Sequence, residues 1–238
     1  MTTFDRRTPP ATRGAALTAA VAGPVFLVLA FLQPPDGPSL GSATVEQIRT
    51  YASTQATAIR LGAVAGIAGA VCVLVITAAL ATLVRSALPW SPLAELGAAA
   101  GNLLGFALLL NTVAGAVPTI LPGLVGTSLS EVDDATLRGW YAGAGLLHLL
   151  GDAQLALVAL VVGTFSIAAL RTRLVARWLA WAGLVVAAAA IVGTVAVMAG
   201  SDPLYPLWFA GLFGWVLWTP TVGVSVGLRG RLTPARSE

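Results

Sequence analysis

The sequence predicts an all-α protein, a polytopic integral membrane bundle of six transmembrane helices. Hydrophobic residues make up 57% of the 238 residues and charged residues only 10%, and the mean hydropathy is +0.87. A soluble globular domain carries about 25% charged residues. At about 20 apolar residues per crossing, this length accommodates about six helices and no sizeable soluble domain. We therefore expect a single transmembrane domain over residues 1–238.

The first predicted helix covers residues 14–32 and follows a basic leader. Such a leader also precedes a signal peptide, but this apolar stretch is longer than a typical signal core and no clear cleavage site follows it. We expect a retained membrane anchor.

The predicted outer loop, 33–60, contains a helical pattern of its own. It opens with proline-rich turn residues, and Thr44 with Gln47 three residues later fits a capping box. Apolar residues then recur near helical spacing at Val45, Ile48, Ala52 and Ile59. We expect a short amphipathic helix on the outer surface of the membrane.

The second and third helices, 61–84 and 96–117, are expected to form a hairpin around an inner loop at 85–95. An outer loop, 118–138, leads to the fourth helix, 139–170. Acidic residues near the end of that loop suit a helix N-terminus, and a helix from there to residue 170 would be about 60 Å long, twice the hydrocarbon thickness. We expect it to protrude, tilt or break, with the break at Gly139, Gly143 and Gly145.

The last hairpin has an inner loop at 171–178, a helix at 179–199, an outer loop at 200–203 and a helix at 204–228. Glycines four residues apart allow close helix contacts in lipid. Matching such pairs by depth predicts that the second helix packs on the fourth and the third on the sixth. The glycines are Gly62, Gly66, Gly139 and Gly143 for the first pair, and Gly97, Gly101, Gly105, Gly223 and Gly227 for the second.

Arginine placement predicts the orientation of the bundle, because basic residues in short loops are retained in the cytoplasm. With both termini cytoplasmic, the inner segments hold ten arginines and the outer segments three. The inner ones are Arg6, Arg7, Arg13, Arg85, Arg171, Arg173, Arg177, Arg229, Arg231 and Arg236; the outer ones are Arg49, Arg60 and Arg138. We expect both termini inside, and the basic composition then reflects topology and not nucleic-acid binding.

The composition excludes several classes of chemistry. All 13 basic residues are arginine, Cys72 is the single cysteine and His148 the single histidine. A retinal Schiff base, pyridoxal phosphate chemistry and the phosphate-binding loop all need a lysine, and haem or zinc sites need more histidine or cysteine. We expect no metal and no cofactor. Arginine without lysine is also typical of a GC-rich genome, so we expect a multi-pass protein of a bacterial inner (plasma) membrane.

Asp152 and His148 are the clearest candidates for chemistry. Ionisable groups inside a membrane are costly, and residues four apart share one face of a helix. The pair could relay protons or bind a polar group. Alternatively, the two side chains neutralise each other or bond to neighbouring helices and only orient the bundle.

Three amides, Asn102 and Asn111 in the third helix and Gln154 in the fourth, are further candidates. They could bind a ligand or simply join helices by hydrogen bonds. Glu95, at the start of the third helix, is a candidate acid, although it also suits the helix dipole as a cap.

Trp215 and Trp218 fall near mid-membrane, whereas tryptophan usually lies at the interfaces. An indole N–H buried at that depth needs a partner. The two rings could form an aromatic wall for an isoprenoid, quinone or acyl chain, or they could be ordinary packing.

Residues 171–184, R-T-R-L-V-A-R-W-L-A-W-A-G-L, resemble the R-S-R-L-x-P-R-W-L-x-x-x-G-L turn of a family of bacterial six-span membrane proteins, domain-of-unknown-function family 4386. The start of the second helix, 59–62, and the tryptophan-rich last helix resemble the same family. The resemblance spans most of the chain and implies a six-helix inner-membrane protein. It implies no activity and no functional residue.

We expect a module that binds or transports a small apolar or weakly acidic molecule, with Asp152 and His148 as its polar site and Trp215 and Trp218 as its apolar wall. One alternative is a membrane-embedded enzyme that cyclises or isomerises a lipid or isoprenoid, with Asp152, His148 or Glu95 as the acid. Another is a non-catalytic scaffold or accessory subunit. The expected partners are the lipid bilayer and a lipid, isoprenoid or other small molecule, with no nucleic acid, and homo-oligomers remain open.

Overall fold

The computed structural model describes residues 10–32, 37–39 and 42–229, without the side chains of Pro10, Ala11, Leu149, Leu150, Asp152, Asp202 and Arg229. The proline-rich turn at 33–36 and four of the inner arginines, Arg6, Arg7, Arg231 and Arg236, lie outside the described residues. Within these ranges the chain forms eight α-helices, one 3₁₀ turn at Asp202–Leu204 and no strand. The helices are α1 (Pro10–Ala30), α2 (Val45–Thr54), α3 (Ala56–Ala87), α4 (Pro92–Leu124), α5 (Asp134–Ala153), α6 (Leu155–Thr172), α7 (Arg177–Met198) and α8 (Pro206–Arg229).

Six helices are long and apolar enough to cross a membrane, namely α1, α3, α4, α6, α7 and α8. The predicted all-α class with six such helices is confirmed. Helices α3 and α4 are longer than predicted, and α4 continues through Pro118 and Pro122, which belong to the predicted outer loop 118–138. Arg60 on α3 donates to the Thr119 carbonyl at 3.1 Å and ties this end of α4 to α3.

The fourth predicted helix, 139–170, is two helices that meet at Gln154. The Gln154 N–H bonds to the Gly151 carbonyl at 3.0 Å, and the Leu157 N–H bonds to the Gln154 carbonyl at 2.9 Å. Both bonds span three residues, so the helix tightens for one turn between α5 and α6.

The predicted break at Gly139, Gly143 and Gly145 is therefore wrong, because all three lie inside α5. A glycine costs a helix only about 1 kcal/mol relative to alanine. That cost is too small to break a helix that packs along α4, as α5 does.

These six long apolar helices form a closed ring. Each packs against the next in chain order, and α8 returns to pack against α1. One end of the ring carries Arg85, Arg171, Arg177 and Arg229, and we call it the arginine-rich end. At the other end, the capped end, α2 packs on α3, α4 and α5.

The second predicted helix does meet the fourth, because α3 contacts α6, but neither predicted glycine contact occurs among the described residues. Gly66 and Gly101 belong to the contact of α3 with α4, where an added Cβ on either would meet Thr112 or Thr77. Gly223 faces α1 instead of α4, and nothing lies within 4 Å of a Cβ added to Gly139 or Gly143. Pairing the glycines by their depth in the membrane failed because consecutive helices in the chain are neighbours in the ring. The spacing of glycines within one helix does not show which helix lies beside it.

The short amphipathic helix predicted in the first outer loop is confirmed as α2. Its capping box is present, with the Gln47 N–H donating to the Thr44 hydroxyl and the Thr44 N–H to the Gln47 side chain. Arg49 on α2 donates to the carbonyls of Leu129 and Val132 and to the Asp134 carboxylate. These bonds hold α2 against the segment that joins α4 to α5.

Candidate functional site: an apolar cavity with a polar belt

A cavity of about 650 Å³ lies inside the ring, toward the capped end. Its described lining comes from α1, α2, α3, α4, α5, α6 and α8 and from residues 37–39, whereas α7 contributes none. Ligand pockets in proteins are typically about 300–1,000 Å³ in volume. The cavity is therefore large enough for a small molecule or a lipid chain.

The cavity is deep along the helix axes and closed at one end. Its lining on α3 runs from Ile59 to Val73, about 21 Å of helix at 1.5 Å per residue. Beyond Val73, toward the arginine-rich end, buried apolar side chains fill the ring, including Ile76, Leu83 and Phe165. The cavity therefore has a floor, and it does not continue to the arginine-rich end.

The floor and lower walls are apolar. They are lined by Phe26, Gly69, Val73, Leu104, Leu108, Leu155, Val158, Leu212, Trp215 and Val216. The cavity exists partly because α3 presents small residues, Gly62, Ala63 and Gly69, along its inner face. Small side chains on one wall leave volume that the neighbouring helices do not fill.

Four polar side chains line the cavity above this apolar zone, Asn111 and Thr112 on α4, His148 on α5 and Gln154 at the junction of α5 and α6. We call them the polar belt. None of the four makes a side-chain hydrogen bond within the described part of the chain. A Cβ added to Gly151 would lie 2.8 Å from the Asn111 amide nitrogen and 3.5 Å from that of Gln154, so the two amides lie close together.

Two tyrosines stand at the capped end of the cavity. Tyr51 on α2 and Tyr141 on α5 both line it, and the Tyr141 hydroxyl donates to the Pro38 carbonyl. Burial, with a smaller contribution from Tyr51, raises the pKa of the Tyr141 phenol above its usual value. Tyr141 therefore remains a neutral hydrogen-bond donor at physiological pH.

No aspartate, glutamate or arginine is among the described residues that line the cavity. The side chain of Asp152 lies outside the described part of the chain, so the predicted pairing with His148 is not placed. The backbone of Asp152 follows Gly151, which lines the cavity. The described lining therefore offers hydrogen-bonding groups but no carboxylate and no guanidinium.

The structure brings four of the candidate residues to the cavity and leaves three elsewhere. His148, Asn111, Gln154 and Trp215 line it. Asn102 is exposed on the outer side of α4, and Trp218 and Glu95 also lie away from the lining.

Glu95 lies at the arginine-rich end, where it forms an ion pair with Arg85 at 2.9 Å across the turn between α3 and α4. Leu104, where α4 first lines the cavity, is nine residues farther along the helix, or about 14 Å. Glu95 therefore closes a helical hairpin and does not reach the cavity.

Trp215 and Trp218 have different environments although both are buried. The Trp218 N–H donates to the Leu179 carbonyl at 2.9 Å, and its ring meets Phe165 edge to face at 5.3 Å. Trp218 is therefore a packing residue that joins α6, α7 and α8. The rings of Trp215 and Phe26 are in contact, with their centroids 5.2 Å apart. The indole N–H of Trp215 has no hydrogen-bond partner in the described chain.

Three residues of the cavity, Thr112, Tyr51 and Tyr141, carry only weak signals in the sequence. Thr112 precedes Gly115 and follows Leu108 at helical spacing, but so do many residues that face lipid. Tyr51 lies three residues after Ile48 on the buried face of α2, which was a usable signal. Tyr141 recurs with Ala144, Gly145, His148 and Gly151 on one face of α5, a pattern that becomes meaningful only once α4 is known to pack there.

A comparison of the chain with protein-family models, curated proteins and solved structures finds no match in any of the three.

Proposed function

We propose that the protein binds a small, largely apolar molecule in the cavity inside the helical ring. The observation that carries the proposal is the 650 Å³ cavity with an apolar floor and a belt of polar side chains that lack partners. Filled protein interiors are close-packed, and buried polar groups are usually hydrogen-bonded. A ligand would supply both the missing contacts and the missing hydrogen bonds.

A binding protein fits the closed floor better than an open channel. A conducting pore needs a path through the ring, and the arginine-rich half is filled by side chains such as Leu80, Leu83 and Val222. If the ligand crosses the membrane, this packed half has to rearrange.

We also propose that both termini are cytoplasmic, in a bacterial inner membrane, with the capped end facing outward. The excess of arginine at one end supports this orientation. Trp90 and Trp178 at the same end are 97% and 66% exposed, as expected for tryptophans in an interfacial belt. A reporter fused after Glu238 should be active only in the cytoplasm; activity only outside would reverse the orientation.

Photolabelling tests the proposed binding site. A farnesol analogue with a diazirine group, added to the protein in phosphatidylcholine nanodiscs, should label inward residues of α3 such as Ala63 and Val73 in a saturable way. An excess of unlabelled farnesol should remove this labelling. The outward residues Leu61, Val64 and Val71, which are 54–67% exposed, serve as the internal control. Labelling of these residues alone would contradict the proposal.

A further inference from the structure

We propose that the ligand of this cavity is an uncharged, largely apolar molecule whose hydroxyl or carbonyl group binds at the polar belt. This ligand class deepens the proposed function and rests on it. The inference comes from three features: hydrogen-bonding groups without partners, their position above an apolar floor, and the absence of a described counter-ion in the lining.

The belt residues leave their hydrogen-bonding groups free within the described chain. Several other helix threonines bond to a carbonyl one turn earlier, as Thr77 does to Val73 and Thr164 to Leu160. Thr112 makes no such bond within the described chain, and Gln154 is 8% exposed without a partner there. Leaving a buried polar group without a partner is costly, so a ligand that bonds to it gains affinity.

Amide side chains select for neutral hydrogen-bonding groups that can donate, accept or do both. Asn111 and Gln154 each offer two N–H donors and one carbonyl acceptor. Their amide nitrogens both lie within 3.5 Å of one point, the place of a Cβ on Gly151, so the two nitrogens are near each other. A single hydroxyl or carbonyl oxygen placed between them in the cavity could therefore bond to both side chains.

The depth of the belt fixes the orientation of such a ligand. Asn111 lies seven residues beyond Leu104 on α4, about 10 Å nearer the capped end. The space between them is lined by Leu108, Leu155 and Val158. The apolar part of the ligand therefore points toward the floor, and its polar group points toward α5 and the tyrosines.

A charged ligand would meet no compensating carboxylate or guanidinium in the described lining. Burying an uncompensated charge costs several kcal/mol, far more than burying a hydroxyl that is hydrogen-bonded. Asp152 is the acid closest in the chain to the belt, and an ionised Asp152 in the cavity would favour a cation. His148 is the group that would favour an anion if it carried a proton.

The ligand class is tested with three compounds that share the farnesyl chain and differ in the charge of the head group. Farnesol, farnesoate and farnesylamine share a chain and are neutral, anionic and cationic at pH 7.5. Each is used to displace tritiated farnesol from the full-length protein in phosphatidylcholine nanodiscs, with correction for partition into the lipid. We expect farnesol to bind at least about tenfold more tightly than either charged analogue.

The hydrogen bond is tested by pairing Asn111→Leu with farnesene, which has the farnesyl chain but no hydroxyl. Asn111→Leu should weaken farnesol binding about three- to tenfold, the value of one or two neutral hydrogen bonds, and leave farnesene binding unchanged. A merely structural effect would weaken both. Asn102→Leu, on the exposed side of the same helix, is the matched control and should change neither affinity.

The outcomes separate this inference from the proposed function. If farnesoate or farnesylamine binds as tightly as farnesol, the ligand class is wrong although the cavity still binds. Tight farnesylamine binding that Asp152→Asn abolishes would assign the polar end to Asp152 and also overturn the neutral class. If none of the probes, farnesene included, displaces farnesol, or if farnesol itself does not bind saturably, the proposed function fails as well.

Discussion

Gly223→Ala should destabilise the protein, whereas Gly227→Ala should not. A Cβ on Gly223 would lie 2.5 Å from the Ala16 carbonyl oxygen and 2.5 Å from the Ala20 nitrogen, both backbone atoms of α1. Backbone atoms cannot swing aside, so α1 and α8 have to separate where the ring closes. Overpacking of this kind costs about 1–3 kcal/mol or more, and the helix propensity of alanine offsets about 1 kcal/mol of it.

Gly227 is the matched control because it lies one helical turn farther along α8 and has no atom within 4 Å of an added Cβ. Gly227→Ala gains the propensity of alanine without a clash, so its Tm in detergent should equal or exceed that of the wild type. The two substitutions should therefore shift Tm in opposite directions. Equal shifts would mean that α1 and α8 do not approach as closely as the structure has them.

The fold class could be predicted because the bilayer imposes a strong constraint on sequence. Five of the six long apolar helices were placed within about five residues at their N-terminal ends, since long apolar stretches between polar loops leave little freedom. The α2 capping box was also readable, because its bonds are local to Thr44 and Gln47.

The helix neighbours and the break at Gln154 could not be predicted because both depend on tertiary packing. Gly223 and Gly227 belong to the same four-residue glycine spacing in α8. A Cβ added to Gly223 would meet backbone atoms of α1, whereas one added to Gly227 would meet nothing within 4 Å. The position of Gln154 follows from the fit of α5 and α6 along α4, which no local signal marks.

The candidate site was partly predictable for a similar reason. A polar residue in an apolar helix stands out in the sequence, so Asn111, Gln154 and His148 were recognised. Asn102 stands out equally, and only the rotation of α4 within the ring places it outside and Asn111 inside. Trp215 and Trp218 differ in the same way, because one lines the cavity and the other bonds to Leu179.

Gly115→Leu should block ligand binding without destabilising the protein. Gly115 lies on α4 and lines the cavity about one turn above Asn111, and no atom lies within 4 Å of an added Cβ. A leucine there has room to enter the cavity, where it would occupy volume that a ligand needs. Leucine also has a higher helix propensity than glycine, so the free energy of unfolding should not fall.

The central claim is tested most directly by the affinity for tritiated farnesol of Gly115→Leu and Gly123→Leu, measured side by side in nanodiscs. Gly123 lies on the same helix, outside the described lining, and also has no atom within 4 Å of an added Cβ. We expect Gly115→Leu to bind at least about tenfold more weakly than the wild type, and Gly123→Leu to bind as the wild type does. Equal affinities for the two variants would show that the cavity is not the binding site.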